Sequence, residues 1–298
     1  MSYSMEIQNK ARDLLTGGQV DCVIGYELGP RGLTRPAFIH APEQAARLVW
    51  NQTCTHNLTT YLGEKLASKA AENNDASMKR VAVVVKACDS RTINVLLAEK
   101  RFQREQVHLI GVVCDGILED AGKLDCPPAG ETGHYQARCQ HCKERTPLVY
   151  DTLIGEPTNP PQGYSSDSRL TELDNLQSLT AAQRSEFWLS QFDRCIRCYA
   201  CRQACPICDC PTCLYERDDS LWVGMGIGLN EKRTFHLGRA FHLAGRCIGC
   251  DECERVCPMN IPISLLNRRL AQEIETAFGY RAGMAPVPAP FVTVLDER

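Results

Sequence analysis

The 298-residue chain has no run of 18 apolar residues, so no segment is expected to span a bilayer. Its opening stretch, residues 1–15 (MSYSMEIQNKARDLL), lacks the basic start, apolar stretch and small-residue cleavage site of a secretory signal, and no twin-arginine signal occurs. The expected location is the cytoplasm. Neither sign of charge is in large excess: 33 Lys and Arg against 36 Asp and Glu leave a net charge of -3. With an isoelectric point near 6.2, this gives no reason to expect nucleic acid or an anionic membrane as partner. Gly29 and Gly32 in ELGPRG do not make a dinucleotide fingerprint, and neither G-x-G-x-x-G nor a Walker A motif occurs. No Ser/His/Asp arrangement or paired carboxylates stand out. The usual signs of a nucleotide enzyme or a hydrolase are therefore missing.

Cysteine is present in excess, at 18 residues. Without a signal peptide these thiols belong in a reducing compartment, where clustered cysteines are metal ligands more often than disulfide partners. Cys195, Cys198, Cys201 and Cys205, followed by Pro206, form C-x2-C-x2-C-x3-C-P. Cys247, Cys250, Cys253 and Cys257, followed by Pro258, repeat it. Three thiolates two residues apart wrap a cubane face, and the displaced fourth ligates the other cluster in two-cluster ferredoxins. The spacing assigns one [4Fe–4S] cluster to Cys195, Cys198, Cys201 and Cys257. It assigns a second to Cys247, Cys250, Cys253 and Cys205. A pair of zinc sites is the competing reading, but zinc motifs rarely use two identical four-cysteine runs ending in proline.

Compact bacterial ferredoxins leave little more than a short loop pair between such motifs; here 41 residues separate Cys205 from Cys247. The flanks read as helix. Thr180 to Gln183 has the form of a capping box, and Trp188 and Phe192 share the face of the helix it opens. Residues beyond Pro262 up to 278 are amphipathic and end at Gly279. Residues 180–278 thus resemble the α-helical ferredoxin domain found in the iron–sulfur subunits of succinate dehydrogenases and of heterodisulfide reductases. Such domains relay single electrons and have no substrate pocket.

The N-terminal half reads differently. Apolar runs at 21–27, 37–40, 81–86 and 107–114 predict strands; residues 42–50 and 92–101 predict helices, the first with proline near its start. This alternation argues for an α/β domain with a partly parallel sheet. Between strand and helix, KACDSR at 86–91 is where such folds tend to place ligands; the competing reading makes Asp89 or Ser90 a simple helix cap. The Pro, Gly and Ser-rich stretch at 155–168 reads as a linker. The expected organisation is an α+β two-domain chain: an α/β domain over 1–155, a linker over 156–179, and a helical two-cluster domain with a C-terminal tail over 180–298.

VIGYELGPRG, NQTCTHNLTTYL, VVVKACDSRTINVLLAE, GVVCDG and ARCQHCKERTP together resemble the beta-subunit family of deazaflavin-dependent hydrogenases and dehydrogenases over residues 20–155. The form is similar to members that carry a ferredoxin domain beside formate dehydrogenases, hydrogenases and heterodisulfide-reductase-like complexes. The resemblance implies other redox subunits as partners, a bound flavin (FAD) and an additional [4Fe–4S] cluster, with no flavin-contacting residue matched. For that cluster Cys139 and Cys142 form a C-x2-C pair, while Cys88 and Cys114 each follow an apolar strand. Cys54 is a rival for either single position; a zinc site or no metal remain open. Cys126 reads as free and Cys22 as core. Cys208, Cys210 and Cys213 complete another site, pack beside a cubane, or go unused. Arg194, Arg197, Arg202, Arg246 and Arg255 are expected on a solvated face or docking rim, and Phe235 and Phe241 to pack. His236 and His242 are discounted as ligands because eight cysteines already fill two clusters. Residues 284–295 (MAPVPAPFVTVL) predict an extended tail, strapped onto a neighbour or packed on its own domain.

The reading is therefore an iron–sulfur electron-transfer subunit of a cytoplasmic multi-subunit oxidoreductase. The alternatives are a flavin-bearing catalytic subunit that oxidises or reduces a deazaflavin, nicotinamide or quinone, and an assembly subunit with structural clusters.

Overall fold

The computed structural model describes residues 2–29, 32–66, 80–119, 135–140, 142–157, 168–217, 219 and 223–290. Cys126, most of the 155–168 stretch and positions 291–295 of the tail lie outside the described residues. The chain falls into two compact units: Met1–Ser165 with Gly283–Val287, and Ser166–Ala282 with Pro288–Arg298.

The first unit is α/β around a five-stranded mixed sheet. Its strands are β1 (Cys22–Leu28), β2 (Thr34–Ile39), β3 (Val81–Val85), β4 (Val107–Val112) and β5 (Thr152–Ile154), in the order β2-β1-β3-β4-β5. β1 pairs antiparallel with β2, and β1, β3, β4 and β5 run parallel. Every residue of β3 is buried, which is why VAVVV shows no polar alternation. Helix α1 (Tyr3–Thr16) buries Ile7, Ala11 and Leu14, a stripe at helical spacing, in the same core as the strands.

Local readings are corrected in two places. Residues 42–50 form only a 3-10 turn, Pro42–Arg47, because Leu48 returns to extended backbone and is buried. The helix after β3 is α3 (Ala87–Ala98), starting five residues before the expected position. The Asp89 carboxylate accepts the Lys86 backbone N–H at 2.9 Å, so the helix begins as soon as the strand ends. The short helices α2 (Leu62–Leu66) and α4 (Ala137–Gln140) complete this unit's helices among the described residues. At the C-terminal return, Asn94 Nδ2 donates to the Gly283 carbonyl at 3.0 Å. Gly283 has φ +76°, and a Cβ there would lie 2.3 Å from the Arg91 carbonyl oxygen, so only glycine fits.

The second unit is helical among the described residues. α5 (Ser168–Ser178) lies in the stretch read as linker, followed by α6 (Ala181–Asp193), α7 (Ala200–Gln203), α8 (Leu229–His242), α9 (Glu252–Arg255) and α10 (Ile263–Phe278). Thr180 and Gln183 close the capping box of α6, with the Gln183 N–H donating to Thr180 Oγ1 at 3.3 Å and the Thr180 N–H to Gln183 Oε1 at 2.9 Å. Trp188 and Phe192 stack at 5.7 Å, and α10 ends at Gly279 with φ 63°. Phe235 is buried, but Phe241 is 67% exposed, because positions 235 and 241 fall on opposite sides of α8. No helix among the described residues is long and apolar enough to cross a membrane.

Candidate metal centres

The two cysteine runs of the helical unit adopt the same backbone path. Two residues after the leading cysteine the chain turns left-handed, at Arg197 (φ 51°) and Gly249 (φ 71°). Four residues after it the chain does so again, at Tyr199 (φ 57°) and Asp251 (φ 52°). One helical turn follows at the fifth residue, α7 and α9 respectively. A left-handed non-glycine residue costs about 1–2 kcal/mol, so three of them in matching places mark a conformation imposed by the surroundings. The effect is to curl the first three thiols of each run around one point.

Each run also lends its fourth cysteine to the other. One cavity of about 370 Å³, counting its solvent-open mouth, is lined by Cys195, Cys198, Cys201 and Cys257. The other, of about 360 Å³, is lined by Cys205, Cys247, Cys250 and Cys253. Among the described residues no group of three or more His, Cys, Asp or Glu side chains is placed to hold a single metal ion. Thiolates on one zinc at 2.3 Å would stand about 3.8 Å apart, whereas the thiolates of a cubane each bind a different iron and stand farther apart. Four thiols around each cavity are a donor set suited to a metal centre.

Backbone donors already point at these sulfurs. The Arg197 N–H reaches Cys195 Sγ at 3.3 Å and the Ile261 N–H reaches Cys257 Sγ at 3.4 Å. Burial pushes the Cys201 thiol up to about 11 and holds Cys250 and Cys253 well above the ordinary thiol value. Ionising them together needs a compensating cation. Arg239, 4% exposed, lies beside both sets. Its Nη2 donates to the Cys201 carbonyl at 2.8 Å and its Nε to Cys208 Sγ at 3.3 Å. The Cys208 thiol in turn donates to Cys205, which with the Arg239 charge holds Cys205 well below the usual thiol range.

The remaining extra cysteines separate. Cys213 packs beside Tyr215, Val223 and Phe235, and Cys210 is exposed. The expected solvated arginine face is corrected at two positions. Arg197 and Arg202 are buried at 5% and 8%, because each guanidinium binds loop carbonyls. Arg197 donates to Gly224, Gly226 and Tyr215, and Arg202 to Cys210. Arg246 pairs with Asp209 and Arg255 with Glu252, while Arg194 is exposed and donates to the Met259 carbonyl.

In the α/β unit, Cys88 is the second residue of α3, and Cys114 lies two residues beyond β4. Parallel neighbours β3 and β4 carry both to the same end of the sheet. Arg145 then gathers the other pair. Its Nη2 donates to the Cys139 carbonyl at 3.2 Å and its backbone carbonyl accepts the Cys114 N–H at 3.0 Å. Burial and then Cys139 push Cys114 up to about 12, and Cys142 and Cys114 add to the burial and the Asp89 charge that raise Cys88. Cys54 is fully buried in the sheet core with its sulfur accepting the Asn51 N–H at 3.4 Å, and Cys22 is core as expected.

Beside Cys88 stands a buried polar group that the motifs did not single out. Lys86 Nζ bonds the Tyr26 hydroxyl, the His56 carbonyl at 2.6 Å and the Asp89 carboxylate at 3.1 Å. Burial alone would drive the Lys86 ammonium to lose its proton; Asp89, Tyr26 and Cys88 together outweigh this and hold its pKa well above the lysine value. The available signal was a lone lysine closing an all-apolar strand.

No family model matches the chain. The sheet unit and the cysteine-lined helical unit define an iron–sulfur electron-transfer subunit of a multi-subunit oxidoreductase. The chain is 37% identical over 326 residues to the F420-dependent formate dehydrogenase subunit beta of Methanocaldococcus jannaschii, covering 84% of this chain and 83% of that one. It is 35% identical over 99 residues to the F420-dependent formate dehydrogenase 1 subunit beta of Methanococcus maripaludis, covering 33% of this chain and 25% of that one. The chain belongs to the family of deazaflavin-dependent dehydrogenase beta subunits.

Proposed function

We propose that the chain relays single electrons through two [4Fe–4S] clusters in a helical ferredoxin domain spanning residues 180–298. Cys195, Cys198, Cys201 and Cys257 hold one; Cys247, Cys250, Cys253 and Cys205 hold the other. The observation that carries this reading is that each cavity is lined by three cysteines of one run and the fourth of its twin. A third cluster, on Cys88, Cys114, Cys139 and Cys142 in the domain over 1–155, is supported by the parallel pairing of β3 and β4, which carries Cys88 and Cys114 to one end of the sheet, and by Arg145, which links Cys114 to Cys139. Bound clusters supply one-electron transfer; the protein fixes their spacing and the donors to their sulfurs.

The relatives are named as beta subunits of F420-dependent formate dehydrogenases; on this reading formate is oxidised in another subunit of a cytoplasmic complex, and a deazaflavin is the other end of the electron path. A deazaflavin exchanges electrons in pairs, and clusters exchange them singly. A flavin such as FAD in the α/β domain would convert one to the other; that is the second reading, in which the subunit also completes a reaction with the deazaflavin.

The relay reading is tested on the full chain purified without oxygen. Dithionite should bleach it, while formate, hydrogen, NADH or reduced deazaflavin alone should give negligible turnover. Adding the catalytic partner subunit should restore transfer. Robust turnover by the isolated chain would replace the relay with the flavoenzyme.

A further inference from the structure

We infer that His236 donates a ring N–H hydrogen bond to a sulfur of the cluster held by Cys195, Cys198, Cys201 and Cys257, and thereby sets that cluster's potential apart from its neighbour's. The inference rests on the cluster reading above. His236 lies on α8, is 3% exposed, and lines the same cavity as those four cysteines. Both of its ring nitrogens are buried with no hydrogen-bond partner among the described residues. In either charge state the ring carries at least one N–H, and an orphaned buried donor points to an acceptor that the protein does not itself provide.

The ring faces are already committed. Phe192 stacks on one at 4.9 Å with 11° between planes, and Phe235 meets the ring edge-on at 5.0 Å. The polar edge is what remains for a ligand. Apart from the cysteines and His236 itself, the side chains of the cavity wall are apolar, Met259 with its weakly accepting thioether included, except for Tyr199, whose hydroxyl donates to the Tyr215 carbonyl at 3.0 Å and accepts from Arg197 Nη2 at 2.8 Å. Sulfur is then the acceptor in reach. Coordination to iron is not required, because four cysteines line the cavity. The second cavity has no histidine in its wall. A hydrogen bond to a cluster sulfur strengthens as the cluster gains an electron and negative charge, so it raises the potential. The electron comes from the external donor and the proton stays on the ring.

The test is an electron paramagnetic resonance redox titration of the full chain, purified without oxygen, comparing His236→Phe with the unsubstituted protein. Phenylalanine keeps the stacking and removes both nitrogens. The Cys257→Ser variant identifies which signal belongs to the first run. With iron content unchanged, that cluster should become harder to reduce, by roughly tenfold in the ratio of reduced to oxidised forms, or about 59 mV. The other cluster should not move. No shift, or equal shifts in both, would overturn the inference. Should the variant lose iron, the unsubstituted chain carrying 15N-histidine decides. Electron–nuclear double resonance should show a weak coupling that marks a hydrogen-bonded nitrogen. A strong coupling, marking a ligand, or none at all, would overturn it. Absence of iron from the unsubstituted chain would sink the cluster reading first.

Discussion

The two units present their cysteines in opposite ways. In the helical unit each set comes from a short run, whose two left-handed residues and single helical turn curl three thiols together before the twin run adds a fourth. In the α/β unit the candidate thiols come from the start of α3, just beyond the end of β4, α4 and the turn after it; parallel β3 and β4 carry the first two to one end of the sheet, and Arg145 links Cys139 to Cys114. The first arrangement is written in local spacing and the second in topology. The first should therefore survive changes elsewhere in the chain, and the second should depend on the sheet.

The largest effects should come from cysteines that join the runs. Cys205→Ser should perturb the cluster of Cys247, Cys250 and Cys253 more than that of its own run, with a loss approaching four irons of roughly eight in this unit. Paramagnetic resonance of the reduced variant reads which signal falls. Loss confined to the signal of the first run would break the cross-linked assignment. In the α/β unit Cys88→Ser should remove about four irons. Cys54→Ser should remove none and lower stability by about 1–3 kcal/mol, the cost of a hydroxyl in the core. Iron analysis beside a thermal melt separates the two; equal iron loss from both would return Cys54 to the ligand set.

Smaller effects should track the backbone. Gly283→Ala should destabilise the α/β unit by about 1–3 kcal/mol, because the new Cβ meets the Arg91 carbonyl in a left-handed residue. Its melting temperature should fall while the helical clusters' signals stay unchanged; loss of those signals would contradict the separation of the units. Thr180→Ala should cost about 1 kcal/mol through loss of the α6 cap, measured by denaturant unfolding. A change in either cluster's potential would show that α6 matters for more than stability.

This contrast also explains what the sequence made legible. The duplicated C-x2-C-x2-C-x3-C-P pattern names both groups of cysteines that line the cavities, because local spacing dictates their placement. The capping box at Thr180 and the stop at Gly279 are equally local and both are formed. Choosing among Cys54, Cys88 and Cys114 required strand order, which no local pattern carries. The arginines failed for a similar reason: Arg197 and Arg202 looked like surface charge, but loops from later in the chain supply the carbonyls that bury them. Lys86 was read only as part of a ligand-placing segment and His236 only as a discounted ligand, because their meaning lies in what surrounds them, a buried tyrosine and carboxylate for one and a thiol-lined cavity for the other.

The central claim, that the helical unit holds paired cubanes, is tested most directly by iron and acid-labile sulfide analysis of the Cys88→Ser chain purified without oxygen. About eight irons and eight sulfides per chain are expected, and stoichiometric zinc with neither iron nor sulfide after reconstitution would contradict it.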